Sequence, residues 1–168
     1  MNAPVRLVLD TNTVLAIWMF RDPALQSLER LIAGGTVTLH SREDALEELR
    51  RVLAYSQFGV AIEAQAQLLA AYRARVMVLP AAAAVTPGTR EAAPQPASID
   101  LPPLLPQCRD RDDQKFLEIA AQAMATHLVT RDKALLKLAR HRLVRERFAI
   151  LTPERFVAAA LPDNAALR

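Results

Sequence analysis

The run Val5-Arg6-Leu7-Val8-Leu9 is short, largely apolar, and stopped by an acid, Asp10. A Val- and Leu-rich run of this length predicts a strand buried on both faces. The switch to Asp10-Thr11-Asn12 supplies turn and N-cap chemistry for a helix carrying Val14, Leu15, Ile17 and Trp18. In an open α/β sheet the carboxyl ends of the strands border the crevice where ligands bind, so an acid at this place faces a site. Capping alone accounts for Asp10 equally well, because Asp is among the best N-cap residues.

Strand and helix signals alternate along the rest of the chain. Asp22-Pro23 starts a helix with Leu25, Leu28, Leu31 and Ile32 at helical spacing, ended by Gly34-Gly35. Thr36 to His40 predicts a second strand, after which Ser41 caps a helix and makes a capping-box-like pair with Asp44. On that helix Ala45, Leu46, Leu49, Val52 and Leu53 fall within a stripe of about 120°. Glu48 lies at the border of the stripe, about 40° from Val52, and Glu47 points to the opposite side. Glu48 therefore reaches a site and Glu47 is solvated. Val60 to Arg75 predicts an amphipathic helix and Val76 to Leu79 a third strand ended by Pro80.

Seven of the eleven prolines fall between Pro80 and Pro106, among Ala, Ser and Thr with hardly any periodicity, so this segment reads as a partly disordered loop or insertion. Beyond it, Asp113 stands three and four residues before Phe116 and Leu117, the spacing that puts side chains on one helix face. Asp110 and Asp112 do not share that register. His127 to Thr130 predicts a fourth strand, and Asp132 precedes Leu135 and Leu136 at the same spacing. A basic turn or helix around Leu143, a last strand from Phe148 to Leu151 and a closing helix from Thr152-Pro153-Glu154 complete the pattern.

Strands alternating with helices predict an α/β fold, a mainly parallel sheet with helices on both faces. At 168 residues and 52% hydrophobic content the chain suits one domain over residues 1–160, with the insertion at about 80–106 and a frayed tail at 161–168. Asp10 and Asp132 end two strands, while Glu48 and Asp113 lie on helices starting near the same sheet edge. Four acids brought together repel one another unless a hard cation neutralises them, and an oxygen-only set favours Mg²⁺ or Mn²⁺ over Zn²⁺. His40, His127 and His141 lack the companions a zinc site needs. A carboxylate-held metal ion lowers the pKa of a bound water and offsets charge on a phosphodiester. Asn12 and Thr130, each close to one of these acids, are candidates to hold a metal water or orient a carboxylate, or serve as ordinary cap residues.

The lone Cys108 excludes an internal disulfide, and the absence of a leader or an apolar run long enough to span a membrane gives a cytoplasmic expectation. The net charge is +3 and the basic residues are mostly arginine, which suits a grip on phosphate. Arg50, Arg51, Arg109, Arg111 and Arg131 flank the four acids. Arg109 and Arg131 sit nearest to assigned acids and are the candidate phosphate contacts for a nucleic-acid partner, with pairing to surface acids as the competing role.

Four stretches, Val8-Leu9-Asp10-Thr11-Asn12, Glu48-Leu49-Arg50-Arg51-Val52-Leu53, Cys108 to Leu117 with Ala120, and Leu128 to Leu136, resemble the PIN-domain family. The likeness is to its bacterial branch of toxin components of toxin–antitoxin systems and spans Val5 to about Phe156. It implies a five-stranded parallel sheet and a Mg²⁺- or Mn²⁺-dependent ribonuclease acting on single-stranded RNA. It further implies a homodimer in many cases and a cognate antitoxin as partner. By motif position the catalytic and metal-binding set carries onto Asp10, Glu48, Asp113 and Asp132. The segment from Pro80 to Pro106 departs from the family by being longer and richer in proline than a minimal domain needs.

Two other readings compete. A strand ending in Asp-x-Asn approaches the nucleophile motif of haloacid-dehalogenase-like phosphatases, but Asn12 stands where a second Asp belongs and no Gly-Asp-Gly-like motif follows. A non-catalytic relic of the fold that binds RNA or protein is the other.

Overall fold

The computed structural model describes residues 5–81 and 104–160. The expected insertion, apart from its two ends, and the expected frayed tail lie outside these residues. The five predicted strands form β1 (Val5–Leu9), β2 (Val37–Arg42), β3 (Val76–Leu79), β4 (His127–Val129) and β5 (Ala149–Leu151). Every pairing is parallel and the order is β3-β2-β1-β4-β5. The helices are α1 (Thr11–Trp18), α2 (Gln26–Ala33), α3 (Glu43–Leu53), α4 (Ile62–Arg73), α5 (Gln114–Gln122), α6 (Lys133–Lys137), α7 (Arg142–Arg145) and α8 (Pro153–Ala160).

β1 is the central strand because Leu7, Val8 and Leu9 are all buried, and their alternation serves two cores. Leu7 and Leu9 pack with Leu39, Val129 and the apolar faces of α1, α2, α3 and α8. Val8 packs on the opposite face with Leu128 and Ile150, under Phe116, Leu117 and Ile119 of α5, Leu135 of α6 and Val144 of α7. From β1 the chain builds outward through β2 to β3, crosses back, and builds outward again through β4 to β5. Helices α1 to α4 therefore lie on one face and α5 to α7 on the other, with α8 returning to the first, and the order reverses between β1 and β4. That reversal opens a crevice at the carboxyl ends of these two strands. Asp10 directly follows β1 and Thr130 directly follows β4.

One local expectation is overturned. Ser41 does not cap α3: β2 runs on to Arg42, Ser41 is buried and paired in register with Val78 of β3, and α3 has no side-chain cap. Asp44, expected to complete a capping box, instead takes the Arg42 guanidinium at 2.9 and 2.7 Å and accepts from the Ala45 amide. The strand outcompetes the cap because β2 is flanked on both sides and its ladder continues as long as partners remain.

Candidate metal centre

Asp10 is 3% exposed and each of its oxygens has a partner. Oδ1 accepts from the Thr13 amide at 2.8 Å, which is the N-cap of α1, and Oδ2 accepts from the Thr130 hydroxyl at 2.5 Å. Capping and site-facing are thus not alternatives: one oxygen serves the helix and the other faces across to β4. Burial raises the Asp10 pKa above the ordinary carboxylate value; the hydrogen bonds from Thr13 and Thr130 oppose this, and Asp132 adds a smaller rise.

Thr130 is fully buried and its hydroxyl oxygen also accepts from the Asp132 amide at 2.8 Å. It ties the acid after β1 to the backbone of the acid after β4. Asp132 caps α6, with Oδ1 accepting from the Ala134 and Leu135 amides at 2.7 and 3.0 Å. Asn12, the other residue paired with Thr130 in the sequence reading, is exposed on the first turn of α1.

Glu48 reaches the same place from α3. The helix starts just after β2 and turns Glu48 to a half-buried position, while Glu47 is exposed and pairs with Arg50. Thr11, one residue past Asp10, donates its hydroxyl to Glu48 Oε1 at 2.7 Å. The Lys115 ammonium occupies Glu48 Oε2. Asp113 stands at the start of α5 and makes no capping hydrogen bond. Its carboxyl is pushed up to about 6, first by burial and then by the charges of Asp132, Asp110, Asp10 and Glu48. All four acids named from the sequence therefore share one electrostatic neighbourhood.

Sequence reasoning gave no role to Thr11 as a partner of Glu48, nor to Lys115. Thr11 is legible once Glu48 is placed at the stripe's border. Lys115 has no periodic signal, since its partner lies 67 residues away on another helix.

The chemistry of the donor set fits a hard divalent cation: all four groups are carboxylates, and Asp113 sits among like charges without a donor at its cap position. As the side chains stand, the described residues include no group of three or more His, Cys, Asp and Glu placed to hold one ion. Glu48 is turned to Lys115 instead. Other metal chemistries find no support. His40 is buried, His127 packs edge-on against Phe156 with ring centroids 5.1 Å apart, and His141 caps α7 through Nδ1. Cys108 is buried, and burial pushes its thiol up, away from the thiolate a nucleophile needs.

Arg131 donates to both Asp22 and Glu154, an ion-pair cluster at the surface. Arg109 is exposed and has no carboxylate partner among the described residues. No helix among the described residues is long and apolar enough to cross a membrane.

Comparison with curated proteins and with solved structures returned no match. The family comparison did: the PIN domain matches residues 6–134, a span containing Asp10, Glu48, Asp113 and Asp132 and the strands that place them. With the five-stranded parallel sheet and an acidic centre at its β1/β4 crevice, this shows that the chain belongs to the PIN domain family, whose members are generally metal-dependent nucleases.

Proposed function

We propose that this chain is a Mg²⁺- or Mn²⁺-dependent endoribonuclease that hydrolyses phosphodiester bonds in single-stranded RNA, and that it is the toxin of a toxin–antitoxin pair. The observation that carries the nuclease reading is the chain of bonds across the crevice, from Glu48 through Thr11 to Asp10, and from Asp10 through Thr130 to Asp132. It ties acids from three separate elements to one place, and Asp113 senses the charge of all three. The toxin reading draws on the motif resemblance, and an antitoxin, a homodimer and a cytoplasmic setting belong to it.

In this reading Asp10, Glu48, Asp113 and Asp132 would hold the cation, which when bound activates water and offsets charge on the phosphodiester. The chain's own residues prepare that place. Thr130 fixes the Asp10 carboxylate against β4, and its acceptance of the Asp132 amide sets the entry to α6. Thr11 donates to Glu48, and Asn12, exposed on the first turn of α1, would touch a metal water or substrate in this reading. Leu9 and Val129, which directly precede Asp10 and Thr130, are buried, as is Phe116 of α5.

Arg109 and Arg131 flank the acids and draw the RNA backbone over a pocket that would otherwise repel it. Arg131 must leave Asp22 and Glu154 to do so, and surface pairs of this kind contribute little. Incubating purified protein with mixed single-stranded RNAs, in Mg²⁺ or in EDTA, tests the proposal. Cleavage that needs the metal and is lost in Asp10→Asn is expected; RNA binding without cleavage would favour a non-catalytic relic.

A further inference from the structure

Lys115 is the second residue of α5, where the positive end of the helix dipole makes an ammonium unfavourable. The acid one turn along its own helix, Glu118, is committed to Arg42. Lys115 crosses instead to Glu48 on α3, with Nζ lying 5.5 Å from the Phe116 ring centroid, and only 17% of its side chain is exposed. Glu48 thus has a hydroxyl on one oxygen and an ammonium on the other. A cation already stands on one of the four acids, and as the side chains stand no three of those acids are gathered around one point.

We propose that Lys115 is the resident counterion of Glu48: a positioning residue that holds this acid at the crevice and is displaced from it when a divalent cation binds. The inference rests on the cation site proposed above. A single positive charge offsets part of the repulsion among four acids, so the cation-free fold tolerates them. A divalent ion neutralises more and takes the carboxylate, and the flexible lysine stem lets the ammonium swing outward toward solvent at the mouth of the crevice. Lys115 therefore lowers the affinity for the ion while keeping Glu48 ready for it.

The test is metal binding without RNA, by calorimetry with Mn²⁺ on the full chain. Lys115→Met is expected to bind Mn²⁺ about tenfold more tightly than wild type, the order expected for removing one unit charge several ångströms from a divalent ion at a water-like effective dielectric of about 80. Lys115→Arg, which keeps a cation there, is expected to stay near wild type. Equal or weaker binding by Lys115→Met, with binding still lost in Asp10→Asn, would overturn the counterion role and leave the cation site standing. Unchanged Mn²⁺ binding in Asp10→Asn would overturn both.

A second measurement needs no variant. The chain has three lysines, Lys115, Lys133 and Lys137, so lysine labelled at Cε gives a simple carbon spectrum. Titration with diamagnetic Mg²⁺ is expected to move the Lys115 resonance toward those of the two exposed lysines. A Lys115 resonance that stays in place at saturating Mg²⁺ would contradict displacement.

Discussion

Asp10 divides its two oxygens between structure and site, and that division makes Asp10→Asn an informative substitution. An asparagine oxygen still accepts from the Thr13 amide, so the α1 cap survives; losing it altogether, as in Asp10→Ala, would cost about 1 kcal/mol. Glu47 and Glu48, neighbours in sequence, part company in the same way. Glu48→Ala is expected to lower RNA cleavage by more than about tenfold, the loss typical of disturbing groups at a metal site. Glu47→Ala gives up only an exposed pair with Arg50 and is expected to cleave near the wild-type rate. Equal losses in a single-turnover assay would contradict the assignment.

Asp113 adds a pH dependence. Its folded carboxyl holds its proton up to about 6, against an ordinary value of 3.8, so the folded chain binds more protons than the unfolded chain between these values. Its contribution to stability is complete below the lower value and is lost as pH rises through the upper one. In EDTA, Tm is expected to fall less steeply with rising pH over that window for Asp113→Asn than for wild type, leaving the variant more stable at neutral pH. Parallel Tm profiles would show that the crowding of Asp113 is not expressed in solution.

At the scale of elements, the site depends on α3 and α5 keeping their positions over the sheet. Arg42, the last residue of β2, is 5% exposed and donates to Asp44 at the start of α3 and to Glu118 of α5. It clamps the helix that carries Glu48 to the helix that Asp113 and Lys115 begin. Arg42→Met keeps the buried stem but loses the charged hydrogen bonds. It is expected to cost about 1.5–3 kcal/mol in urea unfolding and to weaken Mn²⁺ binding although Arg42 is not a ligand. A stability loss with unchanged Mn²⁺ affinity would limit Arg42 to a structural role.

The strands, the helices after them and the positions of the four acids were legible because each rests on local pattern: an apolar run ending in an acid, or an acid three and four residues ahead of a buried pair. Arg42 and Lys115 were not legible. Their partners lie 76 and 67 residues away on neighbouring elements, and a sequence read without tertiary contacts carries no mark of such pairings. Ser41 shows the same limit in reverse. Locally it is a good cap, but the flanking strands of β2 decide its fate.

Across the whole molecule, two cores on either side of β1 hold the crevice open where the strand order reverses. Leu7, fully buried in one of them, is expected to cost about 2–5 kcal/mol as Leu7→Ala. The arginines act at this scale as well. RNA affinity measured against salt in Ca²⁺, to suppress cleavage, is expected to have a slope flattened by about one phosphate contact in Arg109→Ala and in Arg131→Ala. Slopes parallel to wild type would remove them from the RNA path.

If Asp10, Glu48, Asp113 and Asp132 form one cation site, thermal unfolding across a Mn²⁺ titration separates wild type from Asp10→Asn. An ion that binds only the folded site stabilises it by about 2.7 kcal/mol at a hundred times its Kd, so the wild-type Tm is expected to climb with Mn²⁺ while that of Asp10→Asn stays nearly flat. A wild-type Tm indifferent to Mn²⁺, or an equal climb in both proteins, would contradict the account.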